Sequence, residues 1–376
     1  MVVTKGGAQM NAEALRATEE LFFKQIETRL HPGAAMAVYR HGELVLDLFG
    51  GVADAESGKQ VVEDTMFVLY SCTKPLAAFG LYLLWERRKL GWDDPVAKYW
   101  PEFAKNGKDA VTVRHVMTHQ AGFPKTPAEL TWDKWQDWDA VVRALENTSL
   151  EYQPGSVLSY HPMNFGWMCG ELVRRIDGRP FNKFIEEELT APLGMKDTYV
   201  GLPPSLEERV SKVHAMEDAN AAMRSPIANL PDLVSIWNQP EVHQAVIPAA
   251  CGIATARDLA RFYAMMVGGG ELEGVRVLRP ETIAEVTKLQ VEGPDPAADG
   301  SYNRLCLGMA LADPRAGFSR TTNMHTFGHA GAGTSVGWAD SDSGLAVAII
   351  TNGFRPDGTN NARLAAFSQA VRTACL

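Results

Sequence analysis

A chain of 376 residues, 46% apolar and 22% charged, has the composition of a globular protein with room for one large or two modest domains. Its formal net charge of −9 argues against nucleic acid or an anionic membrane surface as its main partner, and no apolar run reaches membrane-spanning length. The five cysteines are scattered, odd in number and outside any C-x-x-C pair, and the N-terminus carries no hydrophobic signal segment, so reduced thiols and a cytoplasmic location are expected.

Leu15, Thr18, Leu21, Phe22, Ile26 and Leu30 recur at helical spacing and predict an amphipathic helix over 11–30, stopped by His31-Pro32-Gly33. Apolar runs over 34–40 and 43–49, joined by His41-Gly42, read as a hairpin. A third apolar run, 65–70, leads into Ser71 and a helix reaching to about Lys89. The stretch 111–122 reads as a helix bearing His115 and His119. Their spacing is that of a zinc pair, but Val116 stands where a metalloprotease needs glutamate, so they read as structural and no metal or other cofactor is expected. Trp132, Trp135 and Trp138 stand three apart. They either pack a helix face or wall a substrate cleft, and Trp135 is the candidate substrate contact.

Helices follow over 138–147, 165–177 with Gly178 as its cap, 181–189 and 255–267, with a proline-rich irregular stretch over 202–248. Residues 292–301 read as a polar loop, 305–311, 334–339 and 345–351 as strands, and 360–374 as a closing helix. Strands near both ends and a helix-rich middle predict an α/β protein of the α+β type. Residues 1–85 with 250–376 would form an antiparallel sheet flanked by helices, and 86–249 an inserted all-helical domain, with Ser71 in the cleft between them.

The chemistry gathers at Ser71-Cys72-Thr73-Lys74. A serine at a helix start and a lysine three residues on share the face of the first turn, near backbone N–H groups that can hold negative charge. Ser71 is the candidate nucleophile and Lys74 the base, provided burial depresses its pKa. Cys72 points elsewhere on the turn and reads as core. Tyr160, 89 residues after Ser71, can share the proton. The glycine-rich stretch 328–338 lets a backbone, at Gly331 among others, approach a substrate carbonyl, and an N–H there could pair with that of Ser71 as an oxyanion hole. Gly333-Thr334-Ser335-Val336-Gly337 also fits G-x-S-x-G, but no histidine follows Ser335 and a strand runs on where a helix should begin, so Ser335 is rejected as nucleophile.

Ser71-Cys72-Thr73-Lys74, Tyr160-His161 with Gly166-Trp167 and Gly170-Glu171-Leu172, and His329-Ala330-Gly331, in this order and spacing, resemble the serine β-lactamase and penicillin-recognising superfamily. Within it the resemblance is to the class C β-lactamase-like carboxylesterases (family VIII esterases), and it covers the chain from about residue 12 onward. It implies a β-lactamase/transpeptidase-like fold and acylation of Ser71 by a small-molecule ester, with Lys74 and Tyr160 as base and acid. It also implies an oxyanion hole of the Ser71 and Ala332 N–H groups, and His329, Gly331 and His161 beside the substrate. Pro162 replaces the asparagine of the β-lactamase second motif, and His329 replaces the lysine of the third, where recognition of a carboxylate would become weaker and pH-dependent. Both changes favour short-chain acyl esters over β-lactams. The alternatives are a β-lactamase or D-alanyl-D-alanine peptidase, an acyltransferase using the same acyl-enzyme, and a non-catalytic acyl-binding protein. Self-association is left open.

Overall fold

The computed structural model describes residues 11–216, 233–298, 300–313, 321, 323–355 and 359–375. Its strands are, in chain order, β1 Gly33–Arg40, β2 Glu43–Asp54, β3 Lys59–Gln60, β4 Phe67–Val68, β5 Thr198–Val200, β6 His214–Ala215, β7 Gly252–Ala254 and β8 Glu271–Leu272. They continue as β9 Val275–Arg276, β10 Val291–Asp295, β11 Ser301–Leu305, β12 Ala310–Leu311, β13 Thr326–Gly331, β14 Ser335–Asp340, β15 Leu345–Thr351 and β16 Gly353–Phe354. Nine of them form one antiparallel sheet in the order β10-β11-β12-β13-β14-β15-β1-β2-β3. The N-terminal hairpin therefore lies beside β15 from the far end of the chain, with Val38 opposite Val347.

β1 is apolar along almost its whole length because both its faces are covered. Met36 and Val38 point into a layer made by α1 (Ala12–Glu27) and the C-terminal helix Thr359–Cys375, through Phe22, Leu364 and Phe367. Ala35, Ala37 and Tyr39 point the other way, into the main core. That inner face is kept small by Ala346, Ala348 and Gly337, and the helix Ala256–Val267 lies close on it; a Cβ on Gly337 would stand 2.3 Å from the Tyr263 ring. The result is helix, sheet, helix, with the helix-rich middle beyond the inner layer.

The middle centres on α2 (Lys74–Glu86), buried from Lys74 to Leu84 and packed against α5 (Asn164–Asp177); Gly80 permits the approach, since a Cβ there would meet Val173 at 2.8 Å. The middle is not wholly helical: β5 pairs with β7, which pairs with β4, in a small sheet that reaches across the expected domain boundary.

Other expectations change in detail. The helix foreseen over 111–122 is only α3, Val113–Met117, because the backbone at His119 turns into the left-handed region at φ 58°. Trp132–Lys134 is one short turn, and the next helix is α4, Trp138–Asn147. The strand foreseen over 305–311 breaks at Gly308, φ 76°. The polar loop foreseen over 292–301 belongs to the β10–β11 hairpin, paired from Val291–Leu305 to Asp295–Ser301. Among the described residues no helix is long and apolar enough to cross a membrane.

Candidate active site

Ser71 lies in a single 3-10 turn, Tyr70–Thr73, between β4 and α2, one turn before the α-helix foreseen to start there. Tyr70 carries φ 48°, a conformation that costs an aromatic residue about 1–3 kcal/mol. The surroundings hold it there. Leu69 N–H donates to Gly252 O at 2.8 Å, and Gly252 N–H donates to Thr73 Oγ1 at 2.7 Å. The Tyr70 ring packs edge-on against Trp237, centroids 5.2 Å apart. Ser335 Oγ donates to Leu69 O at 2.7 Å, so the serine of the G-x-S-x-G match is a buried tie between β14 and this turn.

Lys74 opens α2 with its side chain fully buried. Nζ lies 3.1 Å from Ser71 Oγ, 2.8 Å from Pro162 O and 3.1 Å from Ala249 O. Loss of water, with no carboxylate among these partners, pulls its pKa down to about 7. A neutral amine has two N–H groups and one lone pair. With two carbonyls and one hydroxyl around it, the protonated form can donate to all three, and the neutral form can give its N–H groups to the carbonyls and turn its lone pair to Ser71. Gly166 makes the second carbonyl available. A Cβ there would lie 2.1 Å from Ala249 N, so only glycine lets the 248–249 backbone run against α5.

Tyr160 precedes α5. Its Oη donates to Ser71 Oγ at 2.8 Å, and its ring lies 4.7 Å beneath Lys74 Nζ. Burial of the ring raises the phenol pKa, so the hydroxyl stays protonated. The Tyr160 N–H donates to Asp295 Oδ2, 3.1 Å away on the β10–β11 hairpin.

His329 and Gly331 sit on the face of β13 turned toward this turn. The His329 ring centroid is 6.1 Å from that of Tyr160, and Nδ1 is 2.7 Å from Ala330 O, the geometry of an N–H donor. Burial holds its pKa below the usual histidine value, so it is neutral at pH 7. A Cβ on Gly331 would stand 2.2 Å from Leu69 O. Ala332 is exposed in the β13–β14 turn at φ 44°.

Two sequence-derived contacts lie elsewhere. Trp135 is 1% exposed, donates Nε1–H to Leu130 O at 3.2 Å and packs on Trp237 at 5.7 Å, so it belongs to the core and does not wall an open cleft. His161 is also 1% exposed. Its Nδ1 meets Ser159 O at 2.6 Å, and its backbone N–H donates to His119 Nδ1 at 3.1 Å, so it braces the Tyr160 segment from behind. The sequence reasoning missed His119, whose ring lies 4.7 Å from that of Tyr160, and Asp295. His119 was visible only as half of a zinc-like pair. Among the described residues no cluster of three or more His, Cys, Asp or Glu forms a metal site.

A helix-covered antiparallel sheet with a serine, a buried lysine and a tyrosine converging beside its inner face defines a class: hydrolases of the β-lactamase/transpeptidase-like fold. The chain belongs to the beta-lactamase family, whose model matches residues 19–370. It is 31% identical over 352 residues to the esterase/beta-lactamase LipL of Mycobacterium tuberculosis, covering 88% of this chain and 79% of that protein. The structure is similar to that of a family VIII carboxylesterase, with a TM-score of 0.85 and 29% identity over 98% of this chain and 99% of the other. It is likewise similar to a penicillin-binding protein homologue from Caulobacter crescentus, with a TM-score of 0.84 and 31% identity over 97% of this chain and 99% of the other.

Proposed function

We propose that this hydrolase is a serine carboxylesterase acting on small, uncharged, short-chain acyl esters. The reading takes residues 1–85 with 250–376 as one domain and 86–249 as the other, with the substrate between them. The observation that carries it is the Ser71 hydroxyl within hydrogen-bond reach of both a lysine with a pKa of about 7 and a protonated tyrosine.

Ser71 Oγ attacks the ester carbonyl as its proton passes to the Lys74 lone pair. The oxyanion is held by the N–H groups of Ser71 and Ala332. Collapse breaks the bond to the leaving alkoxide, which takes the Tyr160 phenol proton while Lys74 returns its own to Tyr160. A water then loses a proton to the same pair and attacks the acyl carbonyl; as the bond to Ser71 Oγ breaks, the pair hands that proton to Oγ, which frees the acid and restores the Ser71 hydroxyl. A substrate carboxylate finds no cation in His329 at neutral pH, and Pro162 offers no side-chain amide, which supports esters over β-lactams.

Hydrolysis of p-nitrophenyl acetate and butyrate, measured beside nitrocefin, tests this. The wild type is expected to turn over both esters with little nitrocefin hydrolysis, and Ser71→Ala to lose at least about 10³-fold in kcat, as removal of a nucleophile does. Ester turnover unchanged in Ser71→Ala would sink the mechanism. Strong nitrocefin turnover with negligible ester hydrolysis would overturn the substrate class.

A further inference from the structure

The β10–β11 hairpin forms the outer end of the nine-stranded sheet, far along it from the strands that carry the N-terminus. Its last ladder residue, Asp295, does not face water: it is 0% exposed. One carboxylate oxygen accepts from Tyr160 N–H at 3.1 Å and from Asn303 Nδ2 at 3.2 Å, and the other accepts from Ala297 N–H at 2.9 Å. The base of the hairpin is anchored on two sides: Leu307 N–H donates to Val286 O at 3.1 Å within the sheet's own half of the chain, while Gly308 N–H donates to Met117 O at 2.8 Å and the Arg114 guanidinium bonds Gln290, both ties to the helical middle. The carboxylate thus grips the main chain of Tyr160 from an anchored strand of the other layer, 135 residues away in sequence.

Nothing in α5 itself fixes Tyr160 along this direction. The helix starts at Asn164, and its cap residue Met163 makes no capping side-chain bond. The segment before it is held by contacts with other parts of the chain: Ser159 N–H on His119 O at 3.0 Å, His161 N–H on His119 Nδ1, Pro162 O on Lys74, and Tyr160 N–H on Asp295. The Asp295 contact is on the tyrosine itself. We propose that Asp295 is a positioning residue, whose carboxylate sets the Tyr160 main chain so that the phenol meets Ser71 Oγ. This rests on the role proposed for Tyr160. The negative charge of an ionised Asp295 would also act to keep the phenol protonated, in the same direction as burial.

The test is a double-mutant cycle on p-nitrophenyl butyrate, with wild type, D295A, D295N, Y160F and both Asp295 variants in the Y160F background, each checked for folding by circular dichroism. D295A is expected to lower kcat about 10- to 100-fold, the cost of displacing a reacting group by about 1 Å, with KM little changed. D295N keeps an oxygen for the Tyr160 N–H and is expected to recover part of that loss. In the Y160F background both changes are expected to lose most of their effect, because they act through the missing phenol. Wild-type kcat in both Asp295 variants would overturn the proposal, and so would equal losses with and without the phenol. If D295A does not fold, the smaller loss in D295N and its disappearance in Y160F decide the matter in the same way. Full activity in Y160F alone would remove the role of Tyr160 and is thereby distinguished from failure of the Asp295 assignment.

Discussion

Lys74 answers to pH in a definite direction. Folding lowers its pKa from near 10.5 to about 7, so between those values the unfolded chain binds a proton there that the folded chain has released. The cost of burying this side chain therefore shrinks as pH rises from 7 toward 10.5, and below 7 it no longer changes. Activity follows the neutral form. We expect kcat/KM for p-nitrophenyl butyrate to rise through about pH 7 and to fall about tenfold per unit below it. A flat profile between pH 5 and 8 would remove Lys74 as base. At this scale the sequence was most legible where side chains meet one another. Ser71 and Lys74 share a turn and could be paired from spacing alone, and Tyr160 stood out through its motif. What stayed hidden were main-chain atoms, such as Pro162 O and Ala249 O, and a carboxylate brought in from a distant hairpin.

The turn that presents Ser71 works because neighbouring elements touch without side chains between them. α5 meets the 248–249 backbone at Gly166, and that contact aims the Ala249 carbonyl at Lys74. Gly166→Ala would push the two apart. It should cost about 1–3 kcal/mol of stability, read as a lowered Tm. It should also lower kcat at pH 7 more than the loss of folded protein explains. Unchanged kcat per folded molecule would mean that Ala249 O is dispensable. Gly166 is plain in the sequence, but the need for it is not, because the atom it avoids belongs to a segment more than eighty residues on. The elements misread from sequence share a cause. The helix over 111–122 stopped early at the left-handed His119, which no local pattern marks. The strands of the β10–β11 hairpin escaped notice because Glu292, Gly293, Pro294 and Asp295 show no alternation of apolar and polar residues.

At the scale of the whole molecule the sheet was legible. A continuous apolar β1 demands cover on both faces, and the chain offers amphipathic helices at both ends to provide one of them. Residues 11 and 374 meet, with Asn11 N–H donating to Ala374 O at 3.1 Å, so that cover closes on itself. The all-helical middle was too simple a reading, since three-residue strands such as β5 gain their identity only from partners elsewhere in the chain. The cysteines have a further consequence. Cys72, Cys169, Cys251 and Cys306 are spread from the Ser71 turn through α5 and the β7 lead-in to the β11–β12 corner, and each is 0% exposed with its thiol pKa raised by burial. These four described thiols therefore serve as clocks in different regions of the fold. In native buffer a thiol reagent can reach each one only when its own region opens, so the four labelling rates, read by peptide mass, would rank the local opening free energies. All four should react at once in guanidinium chloride. If Cys72 labels as slowly as Cys251, the Ser71 turn and its small supporting sheet open as one unit.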